Sequence, residues 1–324
     1  MKKIVGILLA GAMAFSAFAA DLTGGVRLAG ELFSYNGTSE EVKGLMLKNE
    51  NQFYHVPLTL SISSDRAGGT FKMCDKDSDT MISGDWAIWF KPMDMLQVNL
   101  GKIAKSMNTE SITYTNRVLN YDSFGASLDV NVDAFSATLS VVPGKATYWM
   151  SKAKGAEVVL GELNLYAQYA ADFGTISAMF DFSENFKKIS IAAGYKNTFG
   201  DITMFADAAV VLKENANKFY VDADVVYAKD ALNAQAYVLF DAPFEGIAKD
   251  TIHVKTLAKV SYNLGSVTPY LQFSDDNILA SSFACQIKPG VTGSVGIMNY
   301  EVAAQFDIAK KVNISVPVNF AVNF

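Results

Sequence analysis

Residues that do chemistry on their own are scarce in this chain. Its 324 residues include 2 histidines, His55 and His253, and 2 cysteines, Cys74 and Cys285. A zinc site needs three or four Cys, His or carboxylate ligands at set spacings, and no such spacing occurs. Each histidine takes a polar position in an alternating run, "FYHVPLTLSIS" for His55 and "HVKTLAKV" for His253. Neither has a nucleophile at a spacing that signals a triad, so both read as inward polar residues of a strand. The run "DKDSDT" sets Asp75, Asp77 and Asp79 two apart, as at the start of a calcium loop. Thr80 stands where that loop requires glycine and Trp86 where it requires glutamate, so the run reads as a solvated acidic loop. No phosphate-binding glycine loop or nucleotide fingerprint is present. The expectation is no enzyme, no metal and no cofactor. A Cys74–Cys285 disulfide stays open, with Cys74 read in a loop and Cys285 on an outward apolar face.

Charged residues form the more informative pattern. Arg27, Asp129, Glu157, Asp181, Asp207, Asp222, Asp224, Asp241, Lys255, Lys259, Glu301 and Asp307, together with Lys188, fall at the polar positions of alternating runs. On one face of a sheet such residues can line water, and their acidic excess predicts a weak preference for cations. Solvated positions with no selectivity are the bland reading of the same pattern.

The elements that would position these residues are strands. In "NKFYVDADVVYA", Phe219, Val221, Ala223, Val225 and Tyr227 oppose Lys218, Tyr220, Asp222 and Asp224, which is the period-two signature of a strand with two unlike faces. "KKISIAAGYK" repeats it, and no segment carries a long apolar stripe at helical spacing. The connections fall into two classes. "SDRAG", "KPMD", "NVDA", "ADFG", "NTFGD", "AKDA", "LGS" and "KPG" are short, whereas residues 36–52, 74–80, 104–121, 143–155 and 242–250 make longer polar loops. Short turns at one end and long loops at the other mark a transmembrane up-and-down antiparallel β-barrel. Counting gives about 18 strands, with 16 acceptable, provided "AEVVLGELNLYAQYA" is one strand whose phase slips at Gly161 and Glu162; an odd count would break the even-number rule.

Closure follows from solvent. An outward face of Val, Ile, Leu, Phe and Tyr is too large to leave in water, and lipid covers it only if no backbone group is left unpaired, as in a barrel without edges. Aromatics near strand ends, Trp86, Trp89, Phe90, Tyr262, Phe273 and Phe306, are expected at the two interfaces. A barrel of this size leaves an aqueous lumen unless loops fill it, so diffusion of small hydrophilic solutes is the expected activity. A secreted all-β protein is the competing architecture.

The chain ends support export and insertion. Lys2 and Lys3 precede the apolar run Ile4 to Phe18, and Ala17 and Ala19 are small residues at cleavage spacing, so residues 1–19 read as a signal peptide with Ala20 as the second choice of cut. The barrel would occupy residues 20–324. Without the two signal lysines, the 27 Lys plus Arg fall by two against 33 Asp plus Glu, leaving a net charge near -8 and no nucleic-acid partner.

With this leader, these strands and the closing run "NISVPVNFAVNF", the chain resembles bacterial outer-membrane β-barrels of the porin type. That resemblance implies residence in the outer membrane among its lipids. It also implies recognition of Phe320, Val322 and Phe324 as an insertion signal by the outer-membrane insertion machinery, and it leaves a homotrimer open. Porins commonly fold their third long loop into the channel. Here that is "AKSMNTESITYTNRVLNYD", with Lys105, Glu110, Arg117 and Asp122 as constriction candidates. The hairpin "WAIWFKPMDMLQVNLGK", through Trp89, Lys91, Pro92, Asp94, Leu96 and Gly101, is also similar to one common in spirochaete outer-membrane proteins. A surface adhesin or antigen with a closed lumen is the rival function, served by the long loop "GTSEEVKGLMLKNEN" and the third loop.

Overall fold

The computed structural model describes residues 19–47, 53–72, 86–106, 120–143, 160–183, 186–214, 216–245, 251–282 and 284–323. Twenty-one strand segments form one antiparallel sheet. Each long strand pairs with its neighbours in sequence, and the first, Ala19–Asn36, also pairs with the last, Val312–Asn323, from Gly25 opposite Asn323 to Tyr35 opposite Ile314. The sheet therefore closes on itself and leaves no edge.

Among the described residues the barrel has eighteen staves. Met298–Ala303 and Gln305–Ile308 are two halves of one stave, since both pair with Cys285–Val295 and with Val312–Asn323. Glu41–Lys43 and Met46–Leu47 are short pieces of the first long connection laid against the first strand. The eighteen match the expected count, and the phase slip lies where the sequence puts it, as a register shift between Leu160 and Glu162.

Among the described residues, eight short turns lie at the end of the barrel where Ala19 and Asn323 lie. Most have two residues, and the first of these often takes a positive φ, as at Asp133 (50°), Gly200 (58°), Asp230 (51°) and Gly296 (60°), a region that glycine and aspartate tolerate. The expected turn at "KPG" does not exist. Lys288, Pro289 and Gly290 are interior to Cys285–Val295, and the turn is Gly296-Ile297. Pro289 is tolerated there because the neighbouring stave breaks at Ala304, whose N–H donates to the Pro289 carbonyl (2.9 Å) where the ladder would want a reciprocal donor.

The two faces have opposite character. Val221, Val238, Leu271 and Ile176 point outward and are 46%, 40%, 49% and 48% exposed, whereas Asp222 and Asp224, beside Val221 in sequence, are 1% and 0% exposed. Outward aromatics gather toward both ends of the staves, Phe135, Tyr169, Phe199 and Tyr262 near the short turns and Trp86, Phe219 and Phe240 near the long loops. On Lys218–Lys229, Phe219 and Tyr227 are eight residues apart. That is about 26 Å along a strand, or about 20 Å along the axis of a barrel tilted by about 40°, close to the apolar height of such barrels. Phe219 stacks on Phe240 and Phe244 with centroids 5.4 and 5.8 Å apart, thickening the loop-end girdle.

Trp89 departs from the expected girdle. The ladder sets it opposite Asn99 and Gly68, on the inward row, while Ile88 and Phe90 face out. Its indole lies over Gly68, where a Cβ would come within 2.7 Å of the ring, and Lys91 sits 5.3 Å from its centroid.

Candidate functional site

Strand register assembles the inward face as rows of residues from neighbouring staves. One row runs Asp129, Thr138, Tyr166, Met179, Ala192, Ala209, Tyr220, Asp241 and His253, each directly opposite the next. The adjacent row runs Ser127, Ser140, Asn164, Asp181 and Ser190. On the other side, Gly194, Asp207, Asp222, Leu239 and Lys255 follow one another. Period-two alternation places every one of these side chains on the lumen side.

The predicted acidic residues share this face and are held by polar neighbours. Asp207 and Asp222 are directly opposite across a strand pair, where Cβ atoms stand about 5 Å apart and like charges repel. Donors offset that cost. Tyr237 Oη donates to Asp222 Oδ2 (3.2 Å), and Gln235 Nε2 donates to Asp224 Oδ2 (2.6 Å). Asp241 meets His253 Nδ1 at 3.3 Å and Lys218 Nζ at 3.8 Å. Asn99 Nδ2 donates to Asp129 Oδ2 (2.9 Å), and Ser183 Oγ donates to Asp181 Oδ2 (3.0 Å). Asp307 accepts from Gln286 (2.9 Å) and Gln305 (3.2 Å).

Near the seam where the chain ends meet, Glu301 is the centre of a second group. It accepts from Tyr270 Oη (2.5 Å), Lys288 Nζ (2.7 Å) and Asn319 Nδ2 (3.2 Å), which belong to three other staves. Lys259 Nζ lies 4.6 Å from the Tyr270 ring centroid, a cation–π distance. Tyr270 in turn covers Gly290, where a Cβ would stand 2.5 Å from its ring.

Several inward residues escaped the sequence reading. Lys288 was hidden by the mistaken turn. Lys196, beside the inward Phe205 at 4.8 Å from its centroid, follows the same alternation and could be found by it, and Lys218 lies on the inward face where its run places it, with Tyr220, Asp222 and Asp224. They reduce the acidic excess. Less expected is an apolar set: Ile103, Tyr166, Met179, Ala192, Ala209, Tyr237, Leu239 and Leu257 pack together on inward positions, with Met179 and Leu257 0% and 2% exposed. The wall therefore carries polar residues along each row, interrupted by one packed apolar cluster that takes Met179, Ala192 and Ala209 from the first row and Leu239 from the third.

Other expectations fall elsewhere. Glu157, Glu110, Arg117, Cys74, Phe324, the acidic run at 75–79 and residues 1–18 lie outside the described residues. Arg27 is opposite Ala321 in the ladder, on the row of Asn319, and His55 is opposite Val26. Lys105 and Asp122 are strand residues, paired with Tyr121 and Ala104, so they end the staves and do not belong to the third loop. Phe320 and Val322 lie opposite Leu28 and Val26 on the outward row. Cys285 is a buried free thiol. Among the described residues no three His, Cys, Asp or Glu side chains are grouped to hold a metal ion.

No family model and no curated protein matches the chain. Solved structures do match. OpdQ of Pseudomonas aeruginosa is similar with a TM-score of 0.58 at 10% identity, covering 96% of this chain and 99% of that one. OccK2 (OpdF) of the same organism gives 0.56 at 10% identity, covering 95% and 97%. A BenF-like porin from Pseudomonas fluorescens Pf-5 gives 0.53 at 12% identity, covering 95% and 99%. The chain thus has the fold of the Gram-negative outer-membrane porins, an all-β transmembrane barrel of up-and-down antiparallel strands.

Proposed function

We propose that the protein is an outer-membrane porin that lets small hydrophilic solutes diffuse passively, with a weak preference for cations. The observation that carries this reading is the closed sheet whose outward face is apolar and whose inward face bears Asp129, Asp181, Asp207, Asp222, Asp224, Asp241, Glu301 and Asp307. Lipid would cover the first face and ions would meet the second. The outer-membrane insertion machinery would read Phe320, Val322 and Phe324, and Glu110 and Arg117 would narrow the channel from the third loop. A homotrimer is a further proposal, as is a spirochaete source, which rests on the Trp86–Lys102 hairpin alone. OpdK of Pseudomonas aeruginosa, similar with a TM-score of 0.55 at 8% identity, is described with vanillate. Vanillate, an anion, is therefore a solute to try against the proposed cation preference.

The burial of Met179, Leu257, Asp207 and Asp224 favours a second reading, a barrel with its waist shut whose loops act as a surface adhesin or antigen. One experiment separates the two: conductance of refolded protein in a planar bilayer under a KCl gradient. Stepwise openings with a cation-selective reversal potential support the porin. Openings with anion selectivity refute the cation preference, and silence from folded barrels refutes the channel.

A further inference from the structure

On three consecutive staves, Leu160–Ala171, Gly174–Ser183 and Lys188–Phe199, the register brings Asn164 opposite Asp181 and Asp181 opposite Ser190. All three side chains are on the inward face and are 0%, 5% and 0% exposed. Neither amide atom of Asn164 has a hydrogen-bond partner, and Asp181 Oδ1 and Ser190 Oγ make none of ordinary length, although the Ser190 hydroxyl is near enough to the Asp181 carboxylate to interact with its charge. Buried polar atoms in native proteins are nearly always satisfied, by protein or by a bound species. Four such atoms within two cross-strand steps of about 5 Å each form one polar patch with a defined chemistry.

The donor set identifies the occupant. Asp181 Oδ1, Asn164 Oδ1 and Ser190 Oγ are hard oxygens, the type that takes alkali and alkaline-earth cations and not soft transition metals. A single carboxylate is too little charge for a dehydrated divalent ion, which prefers several carboxylates and six or more oxygens. It suits one monovalent cation that keeps part of its water, and that water can accept from Asn164 Nδ2. The second carboxylate oxygen is already engaged, because Ser183 Oγ donates to Asp181 Oδ2 at 3.0 Å. This steadies the carboxylate and leaves Oδ1 as its oxygen without a hydrogen bond. Glu162 and Lys188, two residues from Asn164 and Ser190 on the same faces, bracket the site with opposite charges.

We propose that Asn164, Asp181 and Ser190 form a binding site for a partly hydrated alkali cation on the inner wall of the barrel. The proposal rests on the reading of the inward face as an ion path and names where that path holds its ion.

The test is thermal unfolding of the refolded full barrel in detergent at constant ionic strength, with Na+ or K+ exchanged for N-methyl-D-glucamine, a cation too large to fit. A ligand of the folded state alone raises the melting temperature in a saturable way. The wild type is expected to show that rise with Na+ or K+. Asp181→Asn and Asn164→Leu are expected to lose it, while Asp307→Asn, elsewhere on the wall, keeps it. If Asn164→Leu does not fold, Ser190→Ala removes one small oxygen and should shift the saturation to higher concentration. Equal melting of the wild type in all three cations overturns the site and leaves these atoms to water, as does a full rise that survives in Asp181→Asn. The outcome is independent of conduction. A silent bilayer with an ion-dependent melt refutes the channel and keeps the site, and a cation-selective channel with an ion-independent melt does the reverse.

Discussion

Replacing Gly290 by alanine is the sharpest test of the seam. The added Cβ would stand 2.5 Å from both Cζ and Oη of Tyr270 and 2.8 Å from Ala303 Cβ, distances at which something must move. The Tyr270 ring is the mobile partner, but its hydroxyl is bonded to Glu301, which also holds Lys288 and Asn319. Moving the ring costs a hydrogen bond to a charged group, about 1.5–3 kcal/mol, in addition to about 1–3 kcal/mol of overpacking. A total destabilisation of about 3–5 kcal/mol follows, allowing for overlap between the two effects. Urea unfolding of the refolded barrel in detergent, read by tryptophan fluorescence and by the gel-mobility difference between unboiled and boiled samples, measures it. Most of the strain runs through the Tyr270 ring while the Ala303 contact remains, so Gly290→Ala should cost clearly less in a Tyr270→Ala background than in the wild type, a coupling of at least about 1 kcal/mol in a double-mutant cycle. If Gly290→Ala is silent with Tyr270 in place, or equally harmful without it, the close packing of ring on glycine is wrong.

Two further substitutions probe the two faces, and one probes the waist. Val238→Arg puts a charge on the outward face at mid-stave and should destabilise the lipid-inserted barrel by about 2–4 kcal/mol; an unchanged folding equilibrium in lipid vesicles would mean that Val238 does not face lipid. Asp222→Asn, on the adjoining inward position, should leave folding intact and move the KCl reversal potential toward anions. The change in permeability ratio should be about 2–5-fold, from the loss of about 0.5–1 kcal/mol of attraction in a wet lumen; an unmoved potential would remove Asp222 from the ion path. Leu257→Ala deletes a side chain from the packed inward cluster and should cost about 2–5 kcal/mol of stability. If that cluster is the constriction, single-channel conductance should rise, and unchanged conductance would place the narrowest point elsewhere.

Much of the inner wall was legible because alternation is a local property. Asp181, Asp207, Asp222, Asp224 and Asp241 were assigned inward by parity alone, and the ladder places each there. Residue type points Trp89 to the aromatic girdle, whereas its parity between Ile88 and Phe90 puts it inward. Lys288 was misread because Pro-Gly usually signals a turn, a rule that fails where the neighbouring stave supplies a break.

By itself the sequence determined the class of structure. Period-two runs with unlike faces, turns of two lengths and a final strand of the same kind leave a closed barrel as the arrangement that covers the apolar face and pairs every backbone group. A count of about eighteen, with sixteen left open, also comes from the sequence and depends on the slip at Gly161 and Glu162 changing phase within one strand. The tertiary structure alone decided which staves meet at which register. That Asp207 faces Asp222, that Asn164, Asp181 and Ser190 share a row, and that Ile103 joins Leu257 in one packed waist are relations between residues far apart in the chain. A periodic pattern fixes the face of each residue and is blind to sliding by two, so only the summed fit of turns, bulges and packed side chains around the closed sheet selects one register.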